Sequence, residues 1–136
     1  MARLFLVLVA TLYGSLAAWC SIDPAGTSKV VGFSLQRGAG QSEFLTVYGG
    51  LEAGMALMFM AAALWERLRF SGLLNCFLIH VCLVLFRSGG FLLYEVEQAM
   101  TRQLAVGEWV LAICTAVLLW RECRSRGRAS VVTEQA

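Results

Sequence analysis

Charge is what this sequence has least of. Asp, Glu, Lys and Arg make up 15% of the chain and apolar residues 59%, whereas water-soluble domains are about a quarter charged and about half apolar. With a net charge of only +2, nothing calls for a nucleic-acid partner. There is a single histidine, His80, so a metal site built from converging imidazoles has no support, and neither has an axially ligated haem. The five cysteines, Cys20, Cys76, Cys82, Cys114 and Cys123, contain no Cys-x-x-Cys pair. A disulfide framework and a paired-cysteine redox enzyme are therefore both disfavoured. No Gly-Lys-Ser/Thr run marks a phosphate loop, and no Ser, His and acid set reads as a hydrolase. No catalytic residue, metal or cofactor is assigned.

What the chain does have is long apolar runs. Four stand out, at about 4–19, 47–65, 73–93 and 104–120. A helix rising about 1.5 Å per residue needs about 20 residues to cross 30 Å of hydrocarbon, and runs of roughly 16–21 residues are workable. Trp19, Trp109 and Trp120 flank the shorter first and fourth runs, where indole rings settle at the interface. The expected fold is all-α, an integral membrane four-helix bundle. It forms one transmembrane domain over 1–123 with a loop at 21–46, followed by a polar tail at 124–136. The first run has a rival reading. Arg3, a short apolar stretch and Ser15-Leu16-Ala17 resemble a secretory signal with a small-x-small cleavage site. Trp19 before Cys20 spoils a lipoprotein signal, and the balance favours an uncleaved helix.

Orientation follows from basic residues beside the spans. Arg3 precedes the first, Arg67 and Arg69 link the second to the third, and Arg121, Arg124, Arg126 and Arg128 follow the fourth. Four spans bring all three places to one side. Lys29, Arg37 and Arg102 are spread over longer stretches of the other. Both termini are thus expected in the cytoplasm. The outer stretch from Ser21 to Thr46 holds the only proline, in Asp23-Pro24, and a glycine-rich run at Gly38-Ala39-Gly40. Val30 to Leu35 within it suits the membrane surface or a short interfacial turn.

A charge in hydrocarbon is costly, so ionisable residues within spans face protein or water and usually have partners. Glu52, Arg87 and Glu108 each lie roughly 6–9 Å below the outer surface at 1.5 Å per residue. One guanidinium can make charge-assisted, bidentate bonds to carboxylates at its own level. Such a cluster is most simply a structural clasp between helices, and alternatively the floor of an outward-facing pocket for a small polar or anionic ligand. His80, Arg87 and Tyr94 are seven residues apart and would share one helix face. The bland reading of His80 is a hydrogen bond to neighbouring backbone or hydroxyl groups. Tyr48 opens the second span beside Glu52 and joins the candidate polar set. Gly50 and Gly54, four apart, form a small-residue face, as do Ala10, Gly14 and Ala18. These two helices are expected to touch through Gly14, Gly50 and Gly54.

At these residues the chain resembles a family of small four-helix bacterial membrane proteins catalogued only as a domain of unknown function. The resemblance covers most of the chain. It rests on Asp23-Pro24 after the first helix, Tyr48-Gly49-Gly50 opening the second, Arg87 late in the third and Glu108 at the head of the fourth. The sequence departs from that pattern at Ser88-Gly89-Gly90 and Tyr94-Glu95-Val96-Glu97, where the family has a longer apolar stretch and a glycine. The resemblance implies a four-helix fold, a set of polar positions and a multi-pass place in the bacterial inner membrane. It implies no reaction, substrate or cofactor. Three functional expectations follow. The leading one is an accessory or scaffold protein whose partners are the lipid bilayer and a second copy or another membrane protein. The next is a binder or transporter of a small polar or lipid-like ligand at Glu52, Arg87 and Glu108. The last is a redox-linked membrane enzyme.

Overall fold

A computed structural model describes the backbone of residues 1–134 and the side chains of residues 1–125. It is 87% helix, with no strand among the described residues. The elements are α1 (Ala2–Ile22), α2 (Pro24–Val30), α3 (Ala39–Phe44), a π-helical stretch (Leu45–Leu51), α4 (Glu52–Leu64), a 3₁₀ turn (Glu66–Leu68), α5 (Arg69–Leu93) and α6 (Ala99–Glu134). Four helical runs are long and apolar enough to cross a membrane: Ala2–Ile22, Ala39–Leu64, Glu66–Leu93 and Ala99–Ser125. Their length and composition suggest a multi-pass membrane protein. Each begins earlier or ends later than the apolar run that announced it, because helices continue past the hydrocarbon until a cap or a turn stops them. The last continues from Trp120 through Glu134. Gln135 and Ala136, the end of the expected polar tail, lie outside the described residues.

Local chemistry sets the breaks. Asp23 ends α1 and caps α2: its Oδ1 accepts from the Gly26 amide at 2.9 Å, and Pro24 takes the first helical position, where a missing N–H costs nothing. The Thr27 hydroxyl donates back to the Asp23 carbonyl at 2.6 Å. Gly32 and Gly38 take φ of 86° and 77°, turning the chain between α2 and α3 where an L side chain would be strained. Phe33 then folds back onto Phe44 and Tyr48, with the last two rings stacked 4.5 Å apart. Phe33 of the mildly apolar 30–35 stretch thus packs on the start of the second long helical run.

The long helices alternate in direction. α1 packs along α4 and α5 packs along α6, while α5 also meets α4 and α1. The core lies where the first three converge. Leu6, Val9, Ala10 and Tyr13 of α1, Phe59, Ala62 and Ala63 of α4, and Leu73 and Cys76 of α5 are all buried. The outward faces are apolar too, with Leu8, Leu57, Leu85, Phe86, Val106 and Ile113 among the exposed side chains. All four tryptophans are exposed: Trp19 and Trp65 close α1 and α4, and Trp109 and Trp120 lie towards either end of the apolar part of α6.

The glycine contacts differ from expectation. A Cβ on Gly50 or Gly54 would meet no atom within 4 Å. Both are exposed, Gly50 within the π-helical stretch and Gly54 in α4 beyond it. The close approach falls instead on buried Gly49, whose added Cβ would lie 2.6 Å from Ser21 Oγ, and on Gly14, which faces Ala56. The tightest crossing is α4 with α5, where a Cβ on Gly72 would collide with that of Ala62. Gly72→Leu is therefore expected to lower thermal stability in detergent by about 1–3 kcal/mol through overpacking. Gly54→Leu should leave it unchanged. Thermal unfolding followed by circular dichroism compares the two, and equal behaviour would deny the α4–α5 crossing.

Candidate functional site

The sequence places Glu52, Arg87 and Glu108 at one depth. Two of them meet. Arg87, late in α5, donates from Nε to Glu108 Oε2 and from Nη2 to Glu108 Oε1, both at 2.6 Å. The side chains are 27% and 12% exposed, so the pair is largely enclosed between α5 and α6. This two-bond geometry is the strongest form of the contact, since two charged N–H donors meet both carboxylate oxygens.

Glu52 does not join the pair. Its Oε2 is buried and has no hydrogen-bond partner. It stands at the first residue of α4, where the π-helical stretch returns to α-helix. The amides of that junction are already used by backbone carbonyls, so the helix start offers its carboxylate no cap. Tyr48 sits one turn earlier, its ring stacked on Phe44 and within electrostatic reach of both Glu52 and Arg87. The unpartnered carboxylate and the Arg87–Glu108 pair are thus separate features.

His80 lies about 10 Å deeper than Arg87, two helical turns away at 1.5 Å per residue. It is fully buried. Its Nδ1 is 2.7 Å from the Cys76 carbonyl, which fixes the proton on that nitrogen, and its Nε2 is left to accept from the Tyr13 hydroxyl at 3.3 Å. Cys76 Sγ lies 3.5 Å from Thr115 Oγ1, whose hydroxyl donates to the Leu111 carbonyl at 2.5 Å. A chain of polar groups, Tyr13, His80, Cys76 and Thr115, therefore ties α1, α5 and α6 together at mid-depth. Every member has a partner, as buried polar groups in an apolar interior must. Of these, only His80 and Cys76 drew notice from the sequence. Tyr13 and Thr115 carried one available signal: each is a hydroxyl in the middle of an apolar run.

Tyr94 is not part of either arrangement. Its backbone is extended, with φ −131° and ψ 145°, at the cap that ends α5, and the residue is 71% exposed. Seven-residue spacing puts it beside Arg87 only if the helix continues, and it stops at Leu93. No group of three or more His, Cys, Asp or Glu residues able to hold a metal occurs among the described residues. The cysteines are unpaired, with Cys20 and Cys76 buried and Cys82, Cys114 and Cys123 exposed.

Two clefts mark the ends of the molecule. One, near the C-terminal end of α5, is apolar and open, lined by Leu85, Phe86, Gly89, Gly90, Leu93 and Tyr94. The other, at the opposite end, is lined by Met1, Ala2, Arg3, Arg69, Leu118 and Arg121, with Glu122 and Ser125 beside them. Neither is walled by Glu52, Arg87 or Glu108. Comparison with family models, with curated proteins and with solved structures finds no match.

Proposed function

We propose that the chain is a multi-pass accessory or scaffold protein of the bacterial inner membrane, with both termini in the cytoplasm, belonging with the small four-helix proteins it resembles. The observation that carries this reading is the Arg87–Glu108 pair. A guanidinium that spends two donors on one carboxylate of the neighbouring helix, with no cleft opening on it, is suited to holding α6 against α5. It is poorly placed to greet a ligand. The apolar groove beside it, with Gly89 and Gly90 presenting bare backbone, suits a second apolar helix. Support for the orientation comes from one end of the bundle. Arg3, Arg69 and Arg121 gather there around a single cleft, as a cytoplasmic face rich in arginine requires.

Two measurements test the reading. Reporter fusions at Ala136 and Gly40 are expected to report cytoplasm and periplasm respectively, and a cytoplasmic signal at Gly40 overturns the orientation. A photo-crosslinking residue at Leu93, in the groove, should give one discrete heavier protein adduct in membranes. Adducts to lipid alone would defeat the scaffold role. A second reading, binding of a small polar or lipid-like ligand, is favoured by the unpartnered Oε2 of Glu52. It expects a co-purifying small molecule that is lost from Glu52→Gln while the variant folds normally.

A further inference from the structure

We infer that the cleft at the arginine-rich end of the bundle binds the phosphate group of an anionic phospholipid. Three arginines reach it from three separate places in the chain: Arg3 from the start of α1, Arg69 from the start of α5 and Arg121 from α6. They are 52 or more residues apart in sequence, and no helical periodicity aligns them. The fold alone makes them neighbours. The cleft measures about 440 Å³, within the about 300–1,000 Å³ typical of small-molecule sites.

Its charge is unbalanced. Glu122 is the one carboxylate in the wall, against three guanidinium groups. Glu66 takes part of Arg69 through Nη1 at 3.1 Å, but it lies outside the wall and its side chain is 86% exposed. Arg69 Nε is buried and has no hydrogen-bond partner. Arg121 spends Nη1 only on a long contact to Met1 Sδ, at 3.7 Å. Among the described residues, N–H donors therefore outnumber acceptors in this cleft. A phosphate diester offers one full negative charge and two free oxygens, which accept paired N–H bonds donated by guanidinium forks. Ala2 and Leu118 give the same cleft an apolar wall. That mixture of basic and apolar lining fits a headgroup carrying acyl chains rather than a free ion. Basic pockets between spans on the cytoplasmic side bind acidic headgroups by this logic. The site is distinct from the Arg87–Glu108 pair, at the other end of α5, and depends only on the chain lying in a membrane.

The test uses the full chain in detergent, with native mass spectrometry counting bound lipid and thermal unfolding measured in parallel. Phosphatidylglycerol is expected to bind at one saturable site and raise the melting temperature, and phosphatidylcholine is expected to do neither. The double variant Arg3→Gln/Arg121→Gln removes two charges while sparing the Arg69–Glu66 pair. An arginine near the surface is worth about 1 kcal/mol, so the double variant should bind phosphatidylglycerol on the order of 25-fold more weakly. Arg37→Gln, from the opposite end, should bind as the parent does. Inorganic phosphate is the second arm. Competition at millimolar concentration would keep the phosphate site and assign it to a free ion. Equal binding of both lipids, or an unaffected double variant that folds with the parental melting curve, overturns the proposal.

Discussion

Arg87→Ala is expected to lose most of its folded population in mild detergent. The mutation leaves Glu108 in a site where it is 12% exposed and has lost both hydrogen bonds at once. Removing one partner of a buried pair costs about 3–5 kcal/mol, because the surviving charge is stranded without solvent or counter-charge. The double change Arg87→Ala/Glu108→Gln should recover a large part of the loss, since no charge remains to desolvate. Arg87→Ala/Glu52→Gln should not, because Glu52 makes no bond to Arg87 in this fold. Equilibrium unfolding of the three variants decides the matter. Equal rescue by Glu52→Gln would show that the guanidinium is shared between the two carboxylates.

A comparable loss is expected for Phe59→Ala. Phe59 is fully buried in the core cluster that includes Leu6, Val9 and Tyr13, its ring 5.8 Å from that of Tyr13. Phe→Ala in a water-soluble core costs about 3–5 kcal/mol, part of it transfer to water and part the cavity left behind. In a bilayer the transfer part shrinks, because lipid is as apolar as the core. The cavity part remains, so about 3 kcal/mol is the expected loss. Leu57→Ala supplies the contrast. Leu57 lies two residues away on the same helix but is 72% exposed, towards lipid in the membrane reading. Its truncation removes little packing and should leave unfolding within about 0.5 kcal/mol of the parent. Similar losses at the two positions would mean that α4 is not oriented with Phe59 inward.

Much of this protein follows from composition along the chain. Apolar runs interrupted by Asp23-Pro24, by the Arg67–Arg69 link and by the polar 95–103 stretch dictate four long helices, because a backbone in hydrocarbon must satisfy every N–H and C=O within its own segment. The depth of Arg87 and Glu108 was legible for the same reason. A helix advances 1.5 Å per residue, so counting from the end of an apolar run measures height. The expected contact of the first two spans also holds, since α1 and α4 pack along their length.

Rotation about the helix axis was not legible, and the tertiary structure alone decided it. Height placed Glu52 level with the pair, but Arg87 bonds Glu108 and the Oε2 of Glu52 has no partner. Gly50 and Gly54 are four apart and make a face in any regular helix. The run is instead π-helical over Leu45–Leu51, which no local pattern announces, and the close approach falls on Gly49. Gly72 meets Ala62, and Arg3, Arg69 and Arg121 share a cleft, through packing between segments far apart in sequence. The same packing links Tyr13 to His80 and Cys76 to Thr115. In an apolar chain the hydrophobic pattern is nearly uniform around each helix, so it names the spans without saying which side of each faces inward. That choice is made by the fit of small residues against large ones and by the few polar groups that must find partners.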